Sequence, residues 1–111
     1  MNSLEASDAA AAAVATAPRV TLADIEEAIA AEYTMTADKA VGVGTPIVAP
    51  LQVLTLCILV LKNGFTIVGK SAPASAENFN RELGRDFARQ DAIRQIWPLM
   101  GFSLQDRLAG L

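Results

Sequence analysis

The chain has no histidine and only one cysteine, Cys57. Histidine is the side chain that most often moves protons near neutral pH, so its absence leaves a thiol nucleophile without its usual base. A single cysteine also excludes an internal disulfide and is typical of a reducing compartment. These absences favour a protein that is not an enzyme, and we predict neither a cofactor nor a metal site.

Long apolar runs are missing as well. The longest, residues 47–61, is interrupted by Pro50 and falls short of the ~20 residues that a membrane-spanning helix needs. Residues 1–18 carry no lysine or arginine and no block of large apolar side chains, so they do not resemble a secretory signal. We predict no membrane span, a disordered alanine-rich tail over residues 1–19 and a single domain over residues 20–111.

Positive charge is scarce in the first half of the chain. Residues 1–61 hold two basic and seven acidic side chains, whereas residues 62–111 hold seven basic and five acidic ones. Binding to duplex nucleic acid needs several clustered cations, and a chain with a net charge of −3 does not offer them. We therefore predict no duplex nucleic acid as a partner, and leave room for a local anion site in the second half.

The first periodic segment follows Thr21, which forms a capping-box pattern with Asp24. Apolar side chains then recur at helical spacing, which predicts a helix from Leu22 to Tyr33. The chain from Thr34 to Pro50 is rich in glycine and proline and is predicted to be a loop, with room for a short edge strand near Ile47 and Val48.

The dipeptide Asn63-Gly64 has two interpretations. A helix from Leu51 to Lys62 could end at a Gly64 cap, or two strands could be joined by a tight turn. The second run, "FTIVGKS", alternates in the manner of a strand and needs a partner, which favours the β-hairpin.

A two-residue turn would place Lys62 opposite Phe65 and so define two faces of the hairpin. The first face is nearly all apolar and is expected to pack on the helices: Leu54, Leu56, Ile58, Val60, Phe65 and Ile67. The second face is too apolar for open solvent and too polar for a core, so another chain or another element is expected to cover it: Thr55, Cys57, Leu59, Leu61, Thr66, Val68 and Lys70. We therefore predict a homo-oligomer through the second hairpin face.

A long helix is predicted from about Ala76 to Trp97, with Ser75 as its N-cap. Gly84 within it indicates close packing against another element. Pro98 is expected to end or kink this helix, and a short amphipathic helix should follow through Leu108. Together these elements predict an α+β fold.

Three arginines recur every four residues on the long helix: Arg81, Arg85 and Arg89. Lys70 and Ser71 end the preceding strand, and Asn78 lies at the start of the helix, whose free N–H groups attract anions. Because guanidinium forks suit phosphates, these residues predict an anion or nucleotide site: Lys70, Ser71, Asn78, Arg81, Arg85 and Arg89. The alternative is a solvated cationic face interleaved with the acids Glu82, Asp86 and Asp91.

The C-terminal half of the chain resembles a family of small tailed-phage proteins named for products of phages N4 and Sf6, which share the pattern "NGFTVxGxSAxxxxxNFxxxxGRxxAxxxAxxxIWPLxGYxLxxRL". The positions that match it are Asn63, Gly64, Phe65, Thr66, Gly69, Ser71, Ala72, Asn78, Phe79, Gly84, Arg85, Ala88, Ala92, Ile96, Trp97, Pro98, Leu99, Gly101 and Leu104. The chain departs from the pattern of the family where Pro73 replaces a usual Cys, Asn80 a usual Asp and Phe102 a usual Tyr.

The resemblance implies a phage accessory protein that acts in the cytoplasm of the infected bacterial host. Two functions fit that class. One is a binding protein that sequesters a nucleotide-derived host immune signal, and the other is a module that docks on a host or phage protein and inhibits it. An enzyme that degrades a signal is a weaker third hypothesis, because the chain lacks histidine.

Overall fold

The computed structural model describes residues 2–111. Within that range three helices and three strands follow one another as α1 (Ser3–Val14), α2 (Leu22–Ala28), β1 (Ile29–Thr36), β2 (Thr55–Leu61), β3 (Thr66–Ser71) and α3 (Arg81–Leu108). One-turn 3-10 segments lie at Ala37–Ala40, Ala49–Gln52 and Ala76–Asn78. The strands form one antiparallel sheet in the order β1-β2-β3, and α3 packs across one of its faces. The predicted α+β class is confirmed, and no helix within residues 2–111 is long and apolar enough to cross a bilayer.

Helix α2 begins at the predicted capping box. The Thr21 hydroxyl accepts from the Asp24 backbone N–H at 3.0 Å, and the Asp24 carboxylate accepts from the Thr21 N–H at 2.9 Å. The helix ends at Ala28, however, and the chain continues as β1, so the predicted helical stretch up to Tyr33 is wrong. Apolar residues four apart fit a period of two as well as a period of 3.6, and pairing with β2 decides for the strand.

Strand β1 also takes the edge position for which the sequence suggested residues near Ile47 and Val48. Those two residues lie in the connection between the 3-10 segments, and both are exposed.

The hairpin at Asn63-Gly64 is confirmed, but its turn has three residues instead of two. The Leu61 N–H donates to the Phe65 carbonyl at 2.8 Å, and the Gly64 N–H donates to the Leu61 carbonyl at 2.8 Å. Only Gly64 takes a positive φ (+89°) in this turn, while Asn63 accepts from the Phe65 N–H through its side chain at 2.9 Å. This arrangement fits a type I turn followed by a bulge at glycine.

The extra turn residue shifts the register, so that Val60 lies opposite Thr66. A shift of one residue moves the side chains of one strand to the other face of the sheet. The β2 side chains that pack under α3 are accordingly those predicted for the second hairpin face: Thr55, Cys57, Leu59 and Leu61. That predicted oligomer surface is therefore wrong for β2, because four of its seven residues are covered by α3 and belong to the core.

Among residues 2–111, no helix covers the opposite side of the sheet, here called the open face. Tyr33 is 56% exposed and Val68 is 51% exposed, and the β2 residues between them are half-buried. The open face consists of Ala31, Tyr33, Met35, Leu56, Ile58, Val60, Thr66, Val68 and Lys70.

Small residues bring α3 onto the sheet. A Cβ placed on Gly69 of β3 would meet the carbonyl oxygen of Ala88 and would lie 2.8 Å from the Cβ of Ala92. Both alanines are fully buried, and Ile93 and Ile96 continue the same face of the helix into the core. Because Gly69 has no side chain, α3 can approach β3 closely on the face of the sheet to which Gly69 belongs, and this is the face that the helix covers.

Helix α3 is one continuous helix. Asn80 caps it by accepting from the Leu83 N–H at 3.0 Å, two residues beyond the single 3-10 turn that follows the predicted cap at Ser75. Pro98 lies inside it, so the separate short C-terminal helix of the sequence analysis is wrong. One lost backbone hydrogen bond at Pro98 is outweighed because Trp97 and Met100 keep packing against the core on either side.

Where the sequence predicts a disordered tail, the structure has α1. Its capping box joins Asn2 and Glu5, and the Leu4 side chain is only 6% exposed. Asp8 accepts from Arg19 at 3.0 Å and from the Leu22 backbone N–H at 3.1 Å, and the latter bond is the main reason that its pKa is lowered. These contacts dock the first turns of α1 on α2, and the Arg94 guanidinium, which donates to the Ser3 hydroxyl at 3.0 Å, ties α1 to α3.

Candidate anion-binding site

The first two turns of α3 cross the end of β2 at the edge of the sheet that β1 forms. A small cleft of about 50 Å³ lies there between the helix and the two strands. Hydroxyl groups come from the strands and guanidinium groups from the helix, and the lining residues are Thr34, Met35, Thr36, Thr55, Arg81 and Arg85. Thr34 and Thr36 are alternate residues of β1, so both lie on the side of the sheet that α3 covers.

Thr55 is the buried member of this cleft. Its residue is 2% exposed, and within residues 2–111 its Oγ1 has no hydrogen-bond partner. Gly84 passes directly over it, since a Cβ at Gly84 would lie 2.7 Å from that oxygen. A buried hydroxyl without a partner costs about 1–3 kcal/mol. The Thr55 hydroxyl is therefore an unsatisfied donor at the floor of the cleft, and Gly84 limits the access of a ligand group to it.

Arg81 and Arg85 stand one helical turn apart, and both are exposed. Neither forms an ion pair in the part of the chain that the structure describes. The N-terminus of a 28-residue helix, capped by Asn80, adds a partial positive charge next to Arg81. Two unpaired guanidinium groups, a helix N-terminus and three hydroxyls are suited to a phosphate-like oxyanion.

Arg89, the third arginine of the predicted anion site, is held in ion pairs and is not free to bind an anion. It donates to both carboxylate oxygens of Glu26 at 2.8 and 2.6 Å, and its Nε donates to Glu32 at 2.9 Å. The bonds to Arg89 lower the pKa of Glu26, and those to Glu26 and Glu32 raise the pKa of the guanidinium. Arg89 therefore ties α3 to α2 and β1.

The remaining predicted site residues lie elsewhere. Ser71 and Asn78 line a second hollow, of about 170 Å³, on the β3 side of α3, where Phe79 and Phe87 form part of the wall. Thr55 lines both hollows. Lys70 belongs to the open face. Its backbone N–H donates to the Asp91 carboxylate of α3 at 2.9 Å. The structure thus brings Arg81 and Arg85 together and separates them from Lys70.

Sequence reasoning missed the three threonines. Thr34 and Thr36 were assigned to a loop, so their alternation had no strand to belong to. The signal was present in the run from Ile29 to Thr36, in which four of eight residues are β-branched or aromatic, a composition that is typical of a strand. Thr55 could not be linked to Gly84 without knowing the path of α3 over the sheet.

Comparison with known proteins places the chain in a family. No curated protein and no solved structure matches it. A family model does match residues 20–108, which run from just before α2 to the last residue of α3 and leave α1 outside. The matched region includes every residue of the cleft. The resemblance predicted from the motif is confirmed, and the chain belongs to the phage protein (N4 Gp49/phage Sf6 gene 66) family.

Proposed function

We propose that this phage protein binds a small phosphate-bearing ligand of the nucleotide type and thereby sequesters a host immune signal in the cytoplasm of the infected cell. The observation that carries the proposal is the cleft in which the buried, unpartnered Thr55 hydroxyl lies beside Arg81 and Arg85.

Phosphate is the chemical group that this cleft favours. Guanidinium groups bind two phosphate oxygens at once, and Arg81 and Arg85 have no competing carboxylate in an ion pair within residues 2–111. The hydroxyls of Thr34 and Thr55 can donate to further oxygens. The aromatic ring of Phe79 belongs to the separate hollow on the β3 side of α3, so the cleft itself selects the phosphate group of a nucleotide and not its base.

Binding without turnover is supported by the state of the thiol. Cys57 is fully buried, and burial raises its pKa, so it stays protonated and shielded from a ligand. With no histidine in the chain, a ligand held in the cleft meets no evident general base. Sequestration needs only affinity and a sufficient amount of protein.

A thermal-shift screen tests the proposal, with cyclic dinucleotides, cyclic trinucleotides and ADP-ribose derivatives as ligands. A ligand at one hundred times its Kd stabilises the native state by ~2.7 kcal/mol, a clear shift for a domain of this size. The double variant Arg81→Ala/Arg85→Ala should lose the shift. The matched control Lys39→Ala/Lys70→Ala removes the same charge away from the cleft and should keep it. No shift with any ligand, or a shift retained by the double arginine variant, would contradict the proposal.

A second function, docking on a host or phage protein, is favoured by one observation, the open face. Its exposed Tyr33 and Val68 flank a half-buried apolar strand that no helix within residues 2–111 covers. The two functions separate by mutation. Tyr33→Asp/Val68→Asp should abolish retention of a host protein in a pulldown if docking is the function, whereas Arg81→Ala/Arg85→Ala should leave that retention intact.

A further inference from the structure

Strand β3 forms one edge of the sheet, with β2 on its inner side. The Leu61 N–H donates to the Phe65 carbonyl, and along an antiparallel ladder every second residue repeats this orientation. The even-numbered residues of β3 therefore point their backbone N–H and C=O groups outward: Thr66, Val68 and Lys70. An outward row of backbone groups is a template on which a strand of another chain can add.

Two side chains of α3 bind to this outward row. The Gln95 amide nitrogen donates to the Val68 carbonyl at 2.8 Å, and the Asp91 carboxylate accepts from the Lys70 backbone N–H at 2.9 Å. Asp91 and Gln95 lie on the same side of α3, because they are four positions apart and one helical turn takes 3.6 residues. They reach the edge because Gly69 lets the helix lie close to β3.

The two hydrogen bonds reproduce those that an added strand would make. A residue of a parallel strand placed opposite Gly69 would donate its N–H to the Val68 carbonyl, and its own carbonyl would accept from the Lys70 N–H. An antiparallel strand would need the same two groups of β3. The Gln95 amide and the Asp91 carboxylate supply one donor and one acceptor at these positions, so an incoming strand would have to displace both side chains.

We propose that Asp91 and Gln95 close the β3 edge from within, as an autoinhibitory contact that keeps β3 of a second copy from adding to the sheet. Strand β3 begins with three consecutive β-branched residues, Thr66, Ile67 and Val68, and such a run pairs readily where an edge is open. The charged Lys70 works in the same direction, since lysine on an edge strand opposes pairing. The proposal does not rest on the anion site, whose cleft lies at the β1 edge.

Sedimentation velocity of the full chain over a range of concentrations tests the closed edge, with circular dichroism as a check on folding. Asp91→Ala/Gln95→Ala removes both contacts and keeps residues that favour a helix. This variant should form larger species than the wild type does, and their share should rise with concentration. Gln105→Ala/Asp106→Ala removes the same two types of side chain from the last turns of α3. It is the matched control and should sediment as the wild type does.

Hydrogen exchange in dilute ¹⁵N-labelled protein tests the contact itself. In Asp91→Ala the Lys70 amide should exchange about 10-fold faster or more, because it loses a hydrogen bond to a charged group. The Gly69 amide, which faces β2, should keep its rate and so show that the sheet is intact. A double variant that sediments as the wild type does, a control that associates as strongly as the double variant, or an unchanged Lys70 amide in Asp91→Ala would overturn the proposal.

Discussion

The two ends of α3 differ in whether the sheet lies beneath them. At the N-terminal end, Gly84 and Ala88 let the helix lie directly on the sheet, and Arg81 and Arg85 reach over its edge. At the C-terminal end the sheet has ended, and large apolar side chains such as Phe102 face solvent. Contact between backbone and backbone requires small residues, whereas positions that do not face the sheet can carry large ones such as Leu83, Phe87 and Phe102.

The largest expected effect comes from adding one methyl group at the contact between β3 and α3. Gly69→Ala would place a Cβ against the Ala88 carbonyl oxygen and the Ala92 side chain, so the helix must move away from the sheet. Overpacking of this kind costs about 3 kcal/mol. Urea denaturation should show the loss as a lower midpoint with an unchanged slope.

The same substitution at Gly101, near the C-terminal end of α3, is the matched control. A Cβ at Gly101 meets nothing within 4 Å, and alanine favours a helix over glycine by about 1 kcal/mol. Gly101→Ala should therefore stabilise the chain where Gly69→Ala destabilises it. Equal effects of the two substitutions would refute the contrast between the two ends.

A smaller change, an increase in the free energy of unfolding, is expected from a substitution at Thr55. Thr55→Val keeps the shape of the side chain and removes a buried hydroxyl that has no partner, which should raise the free energy of unfolding by about 1 kcal/mol. The same change should weaken ligand binding, because the ligand loses that hydrogen bond. Thermal unfolding with and without ligand measures both effects. A destabilised variant would mean that the hydroxyl already has a partner in the folded protein.

These contrasts could be predicted from the sequence only in part. The capping box at Thr21, the hairpin at Gly64 and the α+β class follow from local patterns, and the structure confirms them. Helix α2 was extended too far because residues four apart, such as Ile25 and Ile29, satisfy both periods. Only the distant pairing of β1 with β2 resolves that ambiguity.

The candidate site was predictable for its cations and not for its hydroxyls. The spacing of Arg81 and Arg85 is visible in the sequence, but the ion pairs of Arg89 depend on the positions of Glu26 and Glu32, which lie on different elements.

The sequence analysis assigned the β2 side chains to the wrong faces of the sheet. Asn-Gly is compatible with turns of two and of three residues, and a shift of one residue in register moves every side chain of a strand to the opposite face.

The smallest effect concerns Glu26, which helps to hold the N-terminal half of α3. Its pKa is lowered by the hydrogen bonds from Arg89. A carboxyl group with a lowered pKa in the folded state stabilises the fold above its ordinary value of 4.5 and loses that contribution as the pH falls through the lowered value. Because the side chain is 43% exposed, the contribution is about 1 kcal/mol or less.

Glu26→Gln should accordingly lower the free energy of unfolding at neutral pH, and the difference from wild type should shrink as the pH falls below 4.5. Glu27→Gln, its neighbour without an ion pair within residues 2–111, is the matched control and should change little at any pH. Urea unfolding at a series of pH values measures both. A difference for Glu26→Gln that stays constant down to acidic pH would show that the ion pair does not stabilise the fold.

The anion site that we propose lies at the N-terminal end of α3, over the threonines of the sheet. A nuclear magnetic resonance titration of the ¹⁵N-labelled protein tests it with inorganic pyrophosphate, the simplest analogue of the group that the cleft should bind. We expect saturable shifts confined to the amides around Thr34, Thr36, Thr55, Arg81 and Arg85, and their loss in Arg81→Ala/Arg85→Ala. Shifts spread over unrelated cations such as Lys62 and Arg107, or no shifts at all, would contradict it.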